Sequence, residues 1–116
     1  MNELSKQANE ILLQLAKSGE QLNYRDFAKQ LGINQAPVIA QVVALLEYLI
    51  QQEVLHNKPI FAALIVQKYG DIPREGFFEK LYELEVTQQV LAGENAKQWH
   101  QSELKKIKEW VVKNDI

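Results

Sequence analysis

Between Val38 and Ile50, Val38, Ile39, Val42, Val43, Leu45, Leu46, Leu49 and Ile50 fall at helical spacings that cover well over half of one helix's circumference. A surface helix needs only an apolar stripe. A helix this apolar either sits at the centre of a fold or presents apolar surface to something else. Asn34 reads as its cap, with Pro37 tolerated in a first turn whose amides have no partner inside the helix, and the pattern runs to about Glu53.

The flanking segments read as shorter elements. Leu4, Ala8, Ile11, Leu12 and Leu15 mark an amphipathic helix over 4–17, ended by Ser18-Gly19 with Gly19 in the left-handed position. Asn23 caps a short second helix with Asp26 in the box position, and Tyr24, Phe27, Ala28 and Leu31 form its buried face before Gly32 ends it. The continuous apolar run Ile60–Val66, flanked by Pro59 and the polar Gln67-Lys68, favours a buried strand. Residues 69–76, with two glycines and a proline, read as a loop or turn. Phe77, Phe78, Leu81 and Tyr82 mark a fourth helix, in which one phenylalanine belongs to the core and the other packs nearby or is exposed. Residues 85–92 fit either an extension of that helix or an edge strand. A last helix runs from about Asn95 to Lys113. Its Trp99 and Trp110 share one face, read as packing against the first helix, and lysines crowd its C-terminal half.

Charge narrows the function classes. The 116 residues carry a net charge of −2, and each half of the chain carries −1. A nucleic-acid binder usually has a basic surplus. With no cysteine there is no disulfide framework, thiolate zinc site or cysteine nucleophile. The N-terminus lacks the pattern of a signal peptide, and the apolar stretch 37–50 is too short to span a bilayer, which points to a cytoplasmic protein. The length fits a single domain over 1–116, with a core over 1–84 and a C-terminal helical segment over 93–116.

The order of three helices, then a strand and a glycine-containing turn, resembles a winged helix-turn-helix, with the second helix closing on Ala28-Lys29-Gln30-Leu31-Gly32-Ile33. The run Ala63-Leu64-Ile65-Val66, followed by Lys68, Gly70, Pro73 and Gly76-Phe77-Phe78, also resembles a motif of small uncharacterised bacterial proteins of winged-helix type. The resemblance covers roughly residues 11–84 and implies a mostly-α fold with a small β element, here extended by a C-terminal helix. It also implies DNA binding through the third helix. Residue chemistry opposes that implication: no lysine or arginine lies between Lys29 and Lys58, whereas phosphate contacts supply most of the affinity for DNA. The residues left for a DNA-reading regulator, as a dimer using the C-terminal helix, are Arg25, Lys29, Gln35, Gln41, Lys68 and Arg74.

Protein recognition is the reading the sequence favours. Glu75, Glu79 and Glu83 lie four apart, with Asp71 just before them. Like charges at that spacing cost a few tenths of a kcal/mol each, a cost that a basic partner offsets. Together with Tyr48 and Gln52 of the third helix they are the candidate protein-binding residues. An immunity protein or antitoxin that masks a basic, nuclease-like toxin is one concrete version. Catalysis has no support in the pattern. His56 and His100 lack ligand spacing and read as surface residues, with Glu103 able to pair with His100 on the helix. Ser5, Ser18 and Ser102 lie in no nucleophile elbow, and no carboxylate pair is marked as buried. Nothing in the pattern calls for a metal or cofactor.

Overall fold

The computed structural model describes residues 2–114. They form five helices, a 3₁₀ turn and a two-stranded parallel sheet: α1 (Glu3–Ser18), β1 (Leu22–Asn23), α2 (Tyr24–Gln30), α3 (Val38–Leu55), the 3₁₀ turn (Phe61–Leu64), β2 (Ile65–Val66), α4 (Glu75–Glu83) and α5 (Gly93–Lys113). The fold is thus mostly helical with a small β element. Residues 115–116, which the sequence assigns to the C-terminal segment, lie outside the described residues.

Local chemistry places both ends of α1 and of α2. Asn2 Oδ1 accepts from the Ser5 N–H at 2.8 Å and caps α1. Asn23 Oδ1 accepts from the Asp26 N–H at 2.8 Å, while its amide donates to Asp26 Oδ2 at 3.2 Å, a reciprocal cap for α2. Gly19 and Gly32 take φ of 73° and 76°. They allow the Glu20 N–H to reach Leu15 C=O and the Ile33 N–H to reach Ala28 C=O, closing the last turns of α1 and α2.

The start of α3 differs from expectation. Asn34 does not cap it: residues 33–37 are irregular, the Ala36–Pro37 peptide is cis, and Pro37 occupies the cap position. The Gln41 side-chain amide donates to the Gln35 and Pro37 carbonyls at 2.7 and 3.0 Å, tying the irregular segment to the helix, while the first amides of α3 have no side-chain cap. α3 then extends to Leu55. By length and composition it meets the requirement for a bilayer crossing, contrary to the shorter reading. Its Val42, Leu45, Leu46, Leu49 and Ile50 are buried, however, and α2 and the 3₁₀ turn pack against it. Six of its eighteen residues are buried, so it packs along one face on a globular body of 35 × 32 × 27 Å.

The 60–66 run is not one strand. Only Ile65 and Val66 are extended, pairing in parallel with Leu22 and Asn23. Residues 61–64 coil into the 3₁₀ turn, although every residue from Ile60 to Val66 is buried. After β2 the Gln67 N–H returns to Ile72 C=O at 2.9 Å, so 68–71 form a tight loop that leads directly into α4. No return strand follows among the described residues. Residues 85–92 are neither helix nor strand but an irregular connection.

One apolar cluster joins α1, α2, α3, the 3₁₀ turn, α4 and α5, the last contributing Ala96 and Ile107. Both Phe77 and Phe78 are buried, so neither is the exposed one that the sequence allowed. Their rings meet edge to face at 5.1 Å, and both pack on Trp99, at 5.7 and 6.2 Å. The neighbouring rings thus bury both directions of α4, because α5 lies across it. Trp110 packs at the other end of α5, edge-on to Phe61 at 5.1 Å.

Candidate functional site

The 3₁₀ turn is the chemically unusual part of the molecule. A single short turn cannot satisfy its own end groups, and burial removes water as a partner. Three side chains from distant helices supply the partners. Glu103 Oε2 of α5 accepts from the Ile60 N–H at 2.7 Å. Glu53 Oε1 of α3 accepts from the Ala62 N–H at 3.4 Å. His100 Nε2 of α5 donates to the Ala63 carbonyl at 2.8 Å, which fixes the proton on that nitrogen. Two carboxyl groups and an imidazole therefore hold one turn at both ends.

All three side chains are buried, with residue exposures of 6% for Glu53, 2% for His100 and 6% for Glu103. Desolvation pushes the Glu53 carboxyl up to about 8, with Glu103 adding to the rise and the Phe61 and Ala62 amides and Lys58 opposing it. Desolvation also holds the His100 imidazole below its ordinary value, against the bond to Ala63. Glu103 has a second partner, Lys106 at 3.8 Å.

These burials correct the sequence reading. His100 is not a surface histidine, and Glu103 pairs with the Ile60 amide rather than with His100. A buried pair of carboxyl groups does exist. The missed signal was periodicity. Glu53 continues the Leu46, Leu49 and Ile50 face, and His100 and Glu103 continue the face of Ala96 and Ile107. A polar residue on an apolar stripe marks a buried partner for something opposite. His56 is exposed, as expected, with Nδ1 donating to the Gln52 carbonyl at 2.8 Å.

The expected protein-binding residues divide into two places. Asp71, Glu75, Glu79 and Glu83 are all exposed, the first in the loop before α4 and the others along it. Asp71 takes a φ of 59°. Glu83 pairs with the buried Lys80 at 3.2 Å. Tyr82 is 50% exposed. At roughly 100° per residue, Glu75, Glu79, Tyr82 and Glu83 occupy about 100° of the helix circumference. Phe77, Phe78 and Leu81 anchor α4 in the core. Tyr48 and Gln52 lie elsewhere, in a cleft between α1, α3 and α5 that includes none of the four acids.

The expected DNA-contacting residues are exposed without exception. Several are already engaged. The Gln41 amide donates to the Gln35 and Pro37 carbonyls, Lys68 lies over the Tyr69 ring at 5.6 Å, and Arg74 lies over the Tyr24 ring at 5.8 Å. The Arg74 N–H also donates to Tyr24 Oη at 2.8 Å, tying the start of α4 to the start of α2. The Tyr24 hydroxyl is raised by burial, against the pull of that bond and of the Arg74 charge. Arg74 shares a small cleft with Glu47 of α3. No group of three or more His, Cys, Asp or Glu side chains is arranged to hold a metal ion among the described residues. Comparison with protein-family models, curated proteins and solved structures finds no match to this chain.

Proposed function

We propose that this protein is a non-catalytic binding factor that docks on a basic protein through the outer face of α4. The observation that carries the reading is the placement of the half-exposed Tyr82 among the exposed Glu75, Glu79 and Glu83. A tyrosine offers contact area and a hydrogen-bonding tip, and aromatic anchors dominate many protein interfaces. Three carboxylates around it select a positively charged partner and repel a phosphate backbone. The helix beneath is held by buried phenylalanines, so the face is pre-ordered and docking costs little conformational entropy. Tyr48 and Gln52 belong to a separate cleft and are left out of this surface.

The concrete version is a small bacterial cytoplasmic factor of winged-helix type, an immunity protein or antitoxin masking a basic nuclease-like toxin. Its support is the acidic face together with the cation-free stretch between Lys29 and Lys58. Tagged protein recovered from its native cells is expected to bring down one stoichiometric basic partner, lost when Glu75, Glu79 and Glu83 are reversed to lysine. Unchanged capture by that triple variant removes α4 from the reading. Titration with duplex DNA at two salt concentrations tests the competing regulator role. Micromolar or tighter binding with a steep salt dependence overturns the protein-binding reading.

A further inference from the structure

α1, α3 and the C-terminal part of α5 enclose a cleft of about 380 Å³ in front of the 3₁₀ turn. Leu12 and Leu49 give it apolar walls, and three aromatic residues line it: Tyr48, Phe61 and Trp110. The Phe61 and Trp110 rings stand at 81° to one another. Glu53 also lines the cleft and is only 6% exposed. Neither of the ion pairs found among the described residues involves it.

Once ionised, a buried carboxyl without an ion-pair partner in an aromatic-lined cleft is complemented by a weakly hydrated cation with an apolar body. A strongly hydrated inorganic ion loses too much solvation in such a place, whereas an organic ammonium gains both from the carboxylate and from the aromatic rings. We propose that this cleft binds a small organic ammonium ion, with its nitrogen against Glu53 among Tyr48, Phe61 and Trp110. The site shares no residue with the outer face of α4, so either proposal can fail alone.

The charge arithmetic supplies a signature. The Glu53 carboxyl, pushed up to about 8, is mostly protonated at neutral pH. A bound cation draws it to the ionised form, so binding releases a proton and tightens as pH rises. The other titratable groups on this side are Glu103 from α5, which favours a cation, and Lys58, which competes with one. Tyr48 and His56 lie on α3 and its end, while α1 contributes only Asn9, Leu12 and Leu13 to the lining.

Calorimetric titration with benzyltrimethylammonium tests this, with benzyl alcohol and phenylacetate as neutral and anionic comparisons. The ammonium ion is expected to bind at least about ten-fold tighter than either comparison at pH 9, and at least about ten-fold tighter at pH 9 than at pH 6. Near pH 7 roughly one proton should pass to the buffer per ion bound. Glu53→Gln keeps an oxygen for the Ala62 amide; it should weaken binding at pH 9 by about ten-fold or more and abolish the pH dependence. Lys58→Ala should tighten binding, where an anion site would lose affinity. The Trp110 indole resonance should move on titration. Equal binding of benzyl alcohol, tighter binding of phenylacetate, undiminished binding by the Glu53 variant, or resonance changes remote from Trp110 would each overturn the proposal.

Discussion

At the scale of the residue, two of the buried ionisable side chains around the 3₁₀ turn, Glu53 and His100, shape how stability responds to pH. The Glu53 carboxyl titrates near 8 in the folded protein and near 4.5 as an isolated side chain. Its contribution is therefore complete below about 4.5 and is lost as pH rises toward 8. His100 acts in the opposite sense. Its folded value lies below 6.5, so its contribution is complete above that pH and is lost as pH falls through the lower value. Between pH 6.5 and 8 only the Glu53 effect remains of the two, and the urea midpoint should fall across that interval. In Glu53→Gln the decline should disappear. Replacing Glu103 tests the other end of the turn. Glu103→Ala leaves the buried Ile60 N–H without its acceptor and should cost about 1–3 kcal/mol in urea denaturation. Glu103→Gln, which keeps an acceptor oxygen, should cost less.

At the scale of the element, helix ends were legible where both partners lie within one turn of each other. Asn23 and Asp26 are three apart, and their cap follows from that spacing alone. Asn23→Ala should cost about 1 kcal/mol of folding stability, measurable by thermal or urea unfolding. The end of α4 carried no such signal. Glu85 sits there with a φ of 62°, and the Val86 N–H reaches the Leu81 carbonyl at 2.9 Å. A glutamate in that left-handed conformation is strained, so Glu85→Gly should stabilise by about 0.5–1 kcal/mol, seen as a raised urea midpoint. The 60–64 segment was misread as strand for the opposite reason. Its hydrogen-bond partners lie 9, 37 and 43 residues away in sequence, at Glu53, His100 and Glu103. A buried apolar run is ambiguous between coil and strand until the groups that satisfy its backbone are known.

At the scale of the whole molecule, α5 is the element that closes the core. It supplies Ala96 and Ile107 to the apolar cluster, the aromatic cover over Phe61, Phe77 and Phe78, and two of the three side chains on the 3₁₀ turn. Truncation after Ala92 should abolish cooperative unfolding, as judged by loss of a sigmoidal urea transition together with exposure of dye-binding apolar surface. Reversal of Glu75 and Glu79 to lysine touches only exposed positions, whereas reversal of Glu83 also replaces the ion-pair partner of the buried Lys80 with a like charge. The Glu75 and Glu79 reversals should together change stability by no more than about 1 kcal/mol while weakening partner capture, and the Glu83 reversal should cost more, so urea denaturation of the two sets separates stability from capture.

By itself the sequence determined the helical character, the apolar faces of α1 and α2, the glycine stops and the acidic stripe of α4. Each depends on periodicity or on residues within one turn, where side-chain chemistry and backbone geometry act locally. Only the tertiary structure decided that 61–64 coil rather than extend, that both phenylalanines of α4 are buried, and that Glu53 lies beside an aromatic-lined cleft. Those outcomes depend on which distant groups arrive to replace water around a buried polar atom, and spacing along the chain does not specify that.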